Sequence, residues 1–385
     1  MPAPGSPARP TSPSSTRSSR REPEVQHLRV GIVGAGIAGL ALAAGLRRDG
    51  HDVDLFEQAP SLLPVGAGIS LSPDALRALG DLGLDDVVAA VTGGERATSA
   101  ALLRPDGRQV LSVPARRLGL TTLSRAELHQ ALAGAAGEVR LGTEARVPTA
   151  GGPRVLLGDE EHAYDVVVAA DGVRSRARAA LGLDPGLRYA GWTSWRGVTR
   201  EPFDLGGRMS ESWGHGAMVG LVPLLDGRAY WFAAAKAPAD GRVPEPRTEA
   251  LARFGTWHAP VRAVIEATGA VVRTDGYDLA RPLPTFVRGR VALVGDAAHA
   301  MTPNVGQGAT QALLDVAALA RGLRELHGVD EVLRTYDRRR RRHAQSVARA
   351  SRLMGRVAMA DGTAGRARDG ALRLVPRHLA RREAP

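Results

Sequence analysis

A glycine-rich strand, helix, strand pattern at residues 28–58, two later apolar runs that each meet an acid and a glycine, and an aromatic-rich stretch of β alternation between those runs together predict an α/β fold. The expected architecture is a Rossmann-like domain built from residues 28–182 and 281–325, with a mainly antiparallel β-sheet domain inserted at 183–280. A disordered tail, 1–27, precedes it, and a C-terminal helical region, 326–385, completes the chain. A chain of 385 residues has room for two or three domains.

The tail MPAPGSPARPTSPSSTRSSRREPEVQ is rich in Pro, Ser and Arg and nearly free of large apolar side chains, so it buries too little surface to order itself. Its arginines resemble those of an organelle transit peptide, but the amphipathic apolar face is missing. Next, an apolar run from Leu28 enters Gly34-Ala35-Gly36-Ile37-Ala38-Gly39, a helical pattern continues to Arg48, and a second apolar run ends at Glu57-Gln58. Gly34 permits a tight turn, Gly36 lets a pyrophosphate approach the backbone, and Gly39 lets the helix lie close on the sheet. Phosphates would sit on the helix N-terminus, where free N–H groups and the helix dipole favour negative charge. Glu57 is placed for ribose hydroxyls. Dinucleotide binding is the expectation, and a Gly-rich turn in an empty α/β domain is its alternative.

Gly66-Ala67-Gly68 reads as a second flexible turn, 73–84 as a helix, and Ser124 as the cap of a helix that opens with Arg125. A cation is poorly placed in a helix's first turn, so Arg125 either reaches a phosphate or faces solvent. Short β patterns follow at 138–147 and 153–157. The apolar run 164–170 reads as a strand buried on both faces, and it ends in Asp171-Gly172 with Arg174 and Arg178 beyond. Open α/β sheets bind ligands at such strand ends.

Twelve of the fifteen aromatic residues, including all five tryptophans, fall within 189–286, which marks this stretch as a separate domain. Residues 208–222 and 228–235 run as strands, with a turn at Asp226-Gly227. Trp192, Trp195, Trp213 and Trp231 are expected mostly in its core, with one or two free to line a cavity for a flat apolar ligand. The first sheet resumes at 290–294, whose strand ends in Gly295-Asp296. The chain then passes His299 and Pro303-Asn304-Val305-Gly306-Gln307-Gly308 into a helix over 308–325. A basic helix over 330–360 carries arginine at every position from 338 to 342, expected as a solvated face.

Composition excludes several classes. Without cysteine there is no disulfide, thiolate metal site, catalytic thiol or cysteinyl cofactor link, and a reducing cytoplasm is the expected compartment. No apolar run approaches the roughly 20 residues of a membrane span. The net charge of +11 raises the question of nucleic acid or membrane partners. Lys236 is the only lysine, however, and the arginines are not gathered with interleaved aromatics on one element. Neither nucleic acid nor stable membrane association is expected.

Three strand ends, at Gly34, Asp171 and Asp296, thus converge on one edge of one sheet. The pattern resembles the group A FAD-dependent aromatic hydroxylases, with the p-hydroxybenzoate hydroxylase fold, over about residues 28–355. Residues 34–39 match that family's ADP-binding motif, Asp171-Gly172 with Arg174 and Arg178 resembles its DG motif, and Gly295-Asp296 through Gly308 resembles its GD motif. Tyr189-Ala190-Gly191-Trp192 with Trp195-Arg196-Gly197 is similar to the salicylate and urate hydroxylase branch, and Met301-Thr302-Pro303-Asn304 to the zeaxanthin epoxidases.

The resemblance implies non-covalent FAD, with NAD(P)H as co-substrate. Glu57 would bind the adenosine ribose beside Gln58 and Gly66, while Ile37 and Ala38 would join the glycines at the diphosphate. Arg125 would reach the phosphates or ribityl chain, and Asp296 the ribityl hydroxyls. Asp171 would support the loop between FAD and nicotinamide. Gly306 and Gly308, in a loop with Pro303 and Gln307, would offer N–H groups to the flavin N1 and C2 carbonyl side. Two positions depart from the family: Gln58 follows Glu57 where Arg is common, and Leu314 precedes Asp315 where Glu is usual.

The implied activity is that of an NAD(P)H-dependent FAD monooxygenase. O2 would add at flavin C4a, and the distal oxygen would pass to an aromatic or heteroaromatic small molecule or, alternatively, to an isoprenoid or quinone-like alkene. With one dinucleotide fingerprint, the nicotinamide would visit without a site of its own. Arg196, His215 and Tyr189 are the candidate catalytic side chains, each open also to a structural role, and His299 is expected to hold loop geometry. The halogenase signature W-x-W-x-I-P is absent. A flavin-binding protein without turnover and a basic scaffold for nucleic acid are the non-enzymatic alternatives. The expected partner is an aromatic or polycyclic small molecule, and the expected state is monomer or homodimer.

Overall fold

Apolar runs covered on both faces become inner strands of a parallel sheet, and that is how the first domain is built. The computed structural model describes residues 27–62, 67–94, 96–149, 152–241, 243–325 and 328–374. The expected tail, apart from residue 27, and Gly66 lie outside them. The first sheet has the order Val287–Arg288, Val291–Leu293, Val166–Ala169, Arg29–Val33, Asp52–Phe56. All neighbours are parallel except the short edge strand Val287–Arg288. Val30, Ile32, Val167, Ala169, Val291 and Leu293 are fully buried. The carboxyl ends of three adjacent strands therefore open side by side. The first helix, Ile37–Arg48, is buried from Ile37 to Leu46, and its small residues let it pack against the helices Arg125–Ala136 and Gly308–Glu325.

The second sheet has seven strands, in the order Thr268–Leu279, Leu187–Thr199, Ala229–Lys236, Ala217–Pro223, Arg208–Trp213, Ser99–Leu103, Gln109–Pro114. It is antiparallel throughout, save where Arg208–Trp213 runs parallel to Ser99–Leu103. Its last two strands come from a stretch assigned by sequence to the first domain. They are short and half-buried, and their alternation carries no cue to which sheet they join.

One face of this sheet is filled by the helices Pro246–Phe254 and Ala259–Glu266. Trp195, Trp231, Val219 and Leu221 pack there against Phe254, Val261, Val264 and Ile265. The indole N–H groups donate to Glu249 and Thr268 at 2.9 and 2.8 Å, as buried tryptophans require. The other face turns toward the first domain. The Tyr230 ring lies against Gly68, and Thr122 Oγ1 donates to the Pro223 carbonyl at 2.7 Å. Farther along, Trp192, Met218 and Ala234 pack on Ala358 and Met359 at the end of the long helix Val329–Ala358.

That helix corrects one expectation. Arg338, Arg339 and Arg342 are exposed, but Arg340 is buried and its Nε donates to Asp315 Oδ1 at 2.8 Å. A 3.6-residue period turns one member of any such run inward. Among the described residues, no helix is long and apolar enough to cross a membrane.

Candidate functional site

The first strand ends in a turn that only glycine fits. Gly34 has φ +102°, and a β-carbon there would lie 2.6 Å from the Ala170 carbonyl oxygen. A β-carbon on Gly39 would collide with the Gly34 carbonyl, whereas one on Gly36 would meet nothing within 4 Å. The close approaches are thus behind the loop, and the space in front of Gly36 is open. The helix beginning at Ile37 has no side-chain cap and no acid in its first turn. Its leading N–H groups face that space as a ready anion site.

Glu57 closes one side. Its Oε2 accepts from the Ala35 N–H and its Oε1 from the Ala59 N–H, both at 2.9 Å, which ties the loop to the end of the second strand. The opening continues as a cleft of about 440 Å³ lined by Gly34, Gly36, Glu57, Gln58, Asp171 and Arg174, among others. A larger hollow, about 700 Å³, lies elsewhere between Asp74, Asp85 and Arg321, and no motif residue lines it.

Asp171 forms the opposite wall. Its Oδ2 accepts from the Ala177 N–H at 3.0 Å, and its buried Oδ1 has no partner among the described residues. A buried carboxylate oxygen in that state is ready for a further donor. Arg178 is fully buried and donates to Asp184, to the Val173 carbonyl and to the Ala297 carbonyl at 2.9, 2.9 and 3.1 Å. It clamps the loop after Asp171 to the segment after Asp296.

The third strand end reaches the same place. A β-carbon on Gly295 would sit 3.7 Å from Ala38 Cβ and 3.2 Å from Ala312 Cβ, between the first helix and the helix Gly308–Glu325. Asp296 follows, exposed, at the head of the short helix Asp296–His299. Pro303 opens a 3-10 turn, and Gly306 turns left-handed at φ +63° with its N–H on the Pro303 carbonyl at 2.8 Å. Gln307 then leads into Gly308, the start of an 18-residue helix with no acid in its first turn. β-carbons on Gly306 or Gly308 would meet nothing within 4 Å. A second helix N-terminus therefore opens on free space.

A buried polar cluster supports this end. Asp315 Oδ2 accepts from the Gly295 N–H at 2.9 Å and meets His299 Nε2 at 2.5 Å, and Arg340 holds Oδ1. Arg340 also donates to Gln311 Oε1 at 2.7 Å. Burial alone would raise the Asp315 carboxyl, but His299, Arg340 and the Gly295 N–H outweigh it and hold the group below its ordinary value. His299 is thus tied through Asp315 to the Gly295 backbone at the start of the loop. Asp315 and Arg340 were not singled out for the site, because 25 residues separate them and only the fold joins them.

Arg125 opens its helix as expected, exposed and without a side-chain partner among the described residues, but Ser124 makes no side-chain cap bond. Arg196 is half-buried in a strand position opposite Phe232. Burial raises the Tyr230 hydroxyl, and the guanidiniums of Arg196 and Arg125 partly oppose this. The remaining two candidates are engaged elsewhere. Tyr189 donates its hydroxyl to the Ala237 carbonyl at 2.6 Å and lies tilted against Tyr277, with ring centroids 5.5 Å apart. Burial pushes that hydroxyl further up, away from a role as base near neutrality. His215 lies half-exposed in the turn between two strands, 3.3 Å from Asp369 of the last helix, Gly362–Arg373. The structure does not bring Tyr189 or His215 together with Arg196. On the face that Arg196 shares stand Tyr230, Phe232, Trp213 and Glu211, of which sequence singled out only Trp213.

Comparison with known proteins follows this geometry. Residues 27–351 match the family described as FAD binding domain. Aurachin C monooxygenase/isomerase of Stigmatella aurantiaca is 43% identical over 316 residues, 77% of this chain and 80% of that protein. The 2-heptyl-3-hydroxy-4(1H)-quinolone synthase of Pseudomonas aeruginosa is 36% identical over 344 residues, 85% of this chain and 88% of that protein. The crystal structure of Klebsiella pneumoniae HpxO complexed with FAD and uric acid superposes with a TM-score of 0.81 at 28% identity, covering 91% of this chain and 94% of that one.

Proposed function

The chain belongs to the FAD-binding domain family, and from that premise we propose that it is a flavin-dependent monooxygenase that hydroxylates a nitrogen heteroaromatic with NAD(P)H and O2. One observation carries the reading: two helix N-termini, at Ile37 and at Gly308, open along one strand edge and are bridged by Gly295, which abuts both helices. A molecule with a diphosphate in its middle and an electron-accepting ring at one end fits that spacing of charge. The Ile37, Ala38 and Gly39 N–H groups would hold the diphosphate, with Glu57 and the neutral Gln58 at the adenosine ribose. Arg125 and Asp296 would flank the linking chain. Gln307 and Gly308, in a loop stiffened by Pro303, would point N–H groups at the edge of the ring that gains negative charge on reduction, while the Gly306 N–H, expected there from sequence, is taken by the Pro303 carbonyl.

FAD, when bound, supplies hydride acceptance and oxygen transfer. The protein contributes orientation and exclusion of water: Tyr230, Phe232 and Trp213 offer an aromatic wall, and Arg196 a half-buried cation, opposite the strand edge. The quinolone and uric acid named for two of the similar proteins both carry a ring N–H and a ring carbonyl, which supports a substrate of that chemistry. The test is NAD(P)H oxidation by the FAD-loaded protein with 4(1H)-quinolones, uric acid and salicylate. Oxidation stimulated by a ligand, with one 18O atom from O2 in its product, is expected; a flavin-loaded protein that none of these stimulates would remove the reading.

A further inference from the structure

We propose that Glu211 is the substrate anchor of this site: its carboxylate accepts the ring N–H of the heteroaromatic and thereby fixes which carbon is presented to the flavin. The assignment rests on the monooxygenase reading above. In the strand Arg208–Trp213, Ser210 and Ser212 are buried, and Ser212 bonds His258 Nε2 at 2.8 Å on the helix-covered face. Period-2 alternation then turns Glu211 and Trp213 to the face toward the first domain. Glu211 pairs across the sheet with Gly220, and the Phe232 ring occupies the room that a Gly220 side chain would take. Phe232 stands 5.9 Å from Tyr230, ring to ring, and Tyr230 lies on Gly68 of the first domain. Beyond Glu211 on the other side, Met218 meets Met359, close to Gly355, which abuts Asn304 of the Pro303–Gly308 loop. Glu211 therefore stands between a contact with the first domain, at Gly68, and a contact with the end of the long helix that abuts the Pro303–Gly308 loop.

What is unusual is its company. Asp278, Glu249 and Asp315, three acids set deep against the two sheets, each hold a guanidinium, and Asp171, which holds none among the described residues, stands at a strand end on the edge proposed for FAD. Glu211 holds none among the described residues, in a chain of net charge +11. Its one hydrogen bond is from the Trp213 indole N–H to Oε2, at 3.0 Å, which leaves Oε1 for another donor. Burial pushes its carboxyl up, opposed only by that indole. A carboxylate left this way is stabilised by any N–H that reaches it, and a ligand without that N–H forfeits the gain.

The FAD-loaded protein is titrated with 2-heptyl-4(1H)-quinolone and with its N-methyl counterpart, and Kd is read from the flavin absorbance and by calorimetry. Wild type is expected to prefer the N–H probe by about 10- to 100-fold, the range for a hydrogen bond to a charged group. Glu211→Gln is expected to lose that preference while keeping flavin content and affinity for the N-methyl probe. Trp213→Phe, which removes only the carboxylate's orienting donor, is expected to lose part of it, and serves if Glu211→Gln fails to retain FAD. A Glu211→Gln protein that keeps the preference, or loses affinity for both probes equally, overturns the assignment alone. Wild type that binds neither probe and oxidises NAD(P)H faster with no heteroaromatic overturns the monooxygenase reading as well.

Discussion

The strand edge proposed to hold FAD and the face of the second sheet turned toward the first domain are made from different parts of the polypeptide. The edge is main chain: N–H groups at two helix starts, and glycines at 34, 36, 39, 295, 306 and 308 that either allow a close approach behind or leave space in front. The sheet face is side chains: Arg196, Glu211, Trp213, Tyr230 and Phe232 on a regular ladder that would accept many alternatives. A backbone site restricts sequence to glycine at fixed spacing, because other residues collide or strain. A side-chain site imposes only alternation, so its chemistry can change while the strand persists.

The largest effect separating the two regions is expected from Asp315→Asn. It leaves Arg340 buried with a neutral partner beneath the Gly308 helix, at a cost of about 3–5 kcal/mol, to be measured by urea unfolding at pH 7. The pH sign follows from the lowered carboxyl. Asp315 contributes stability that is present above its unfolded-state value and lost as pH falls through its folded one, so the variant should show a flatter acid limb. A variant of unchanged stability would mean that the flavin end needs no such support.

Next comes a pair of glycines. Gly39→Ala forces a collision with the Gly34 carbonyl, worth about 1–3 kcal/mol, or about 10- to 100-fold in FAD affinity, and should also lower the melting temperature of the apoprotein. Gly36→Ala meets no protein atom, so the apoprotein should melt as wild type while FAD affinity still falls. Equal behaviour of the two variants would erase the distinction between the packed back of the loop and its open front.

The smallest effects should come from side chains that sequence marked and geometry commits elsewhere. Tyr189→Phe loses the bond to Ala237, about 0.5–1.5 kcal/mol of stability by chemical denaturation, with kcat retained. His215→Ala gives up an exposed contact with Asp369 worth under about 1 kcal/mol, and its kcat should match wild type from pH 6 to 8. A hundredfold loss of kcat in either would return that residue to the chemistry.

The same contrast explains what was legible in sequence. Gly34, Gly36, Gly39, Glu57, Asp171 and Asp296 fall at strand ends, where an apolar run stops and a glycine or acid interrupts it, so position and chemistry are written together. Glu211 lies inside a strand where nothing in the local pattern tells the open face from the one under Phe254 and Val261. The strands Ser99–Leu103 and Gln109–Pro114 escaped for a related reason, because pairing with residue 208 onward is a long-range choice that no local period records. Arg340 was hidden in a run of like residues that differ only in the direction each points from its helix.

The account depends on one FAD spanning the two helix starts, and an FAD titration of the apoprotein tests that most directly. Binding of one FAD per chain is expected, with FMN and riboflavin far weaker because they lack the adenosine diphosphate end. Gly36→Asp and Gly306→Val should each weaken FAD at least about tenfold, the equivalent of 1.4 kcal/mol. Protein that stays colourless at saturating FAD, or a substitution at either end that leaves its affinity unchanged, would contradict the account.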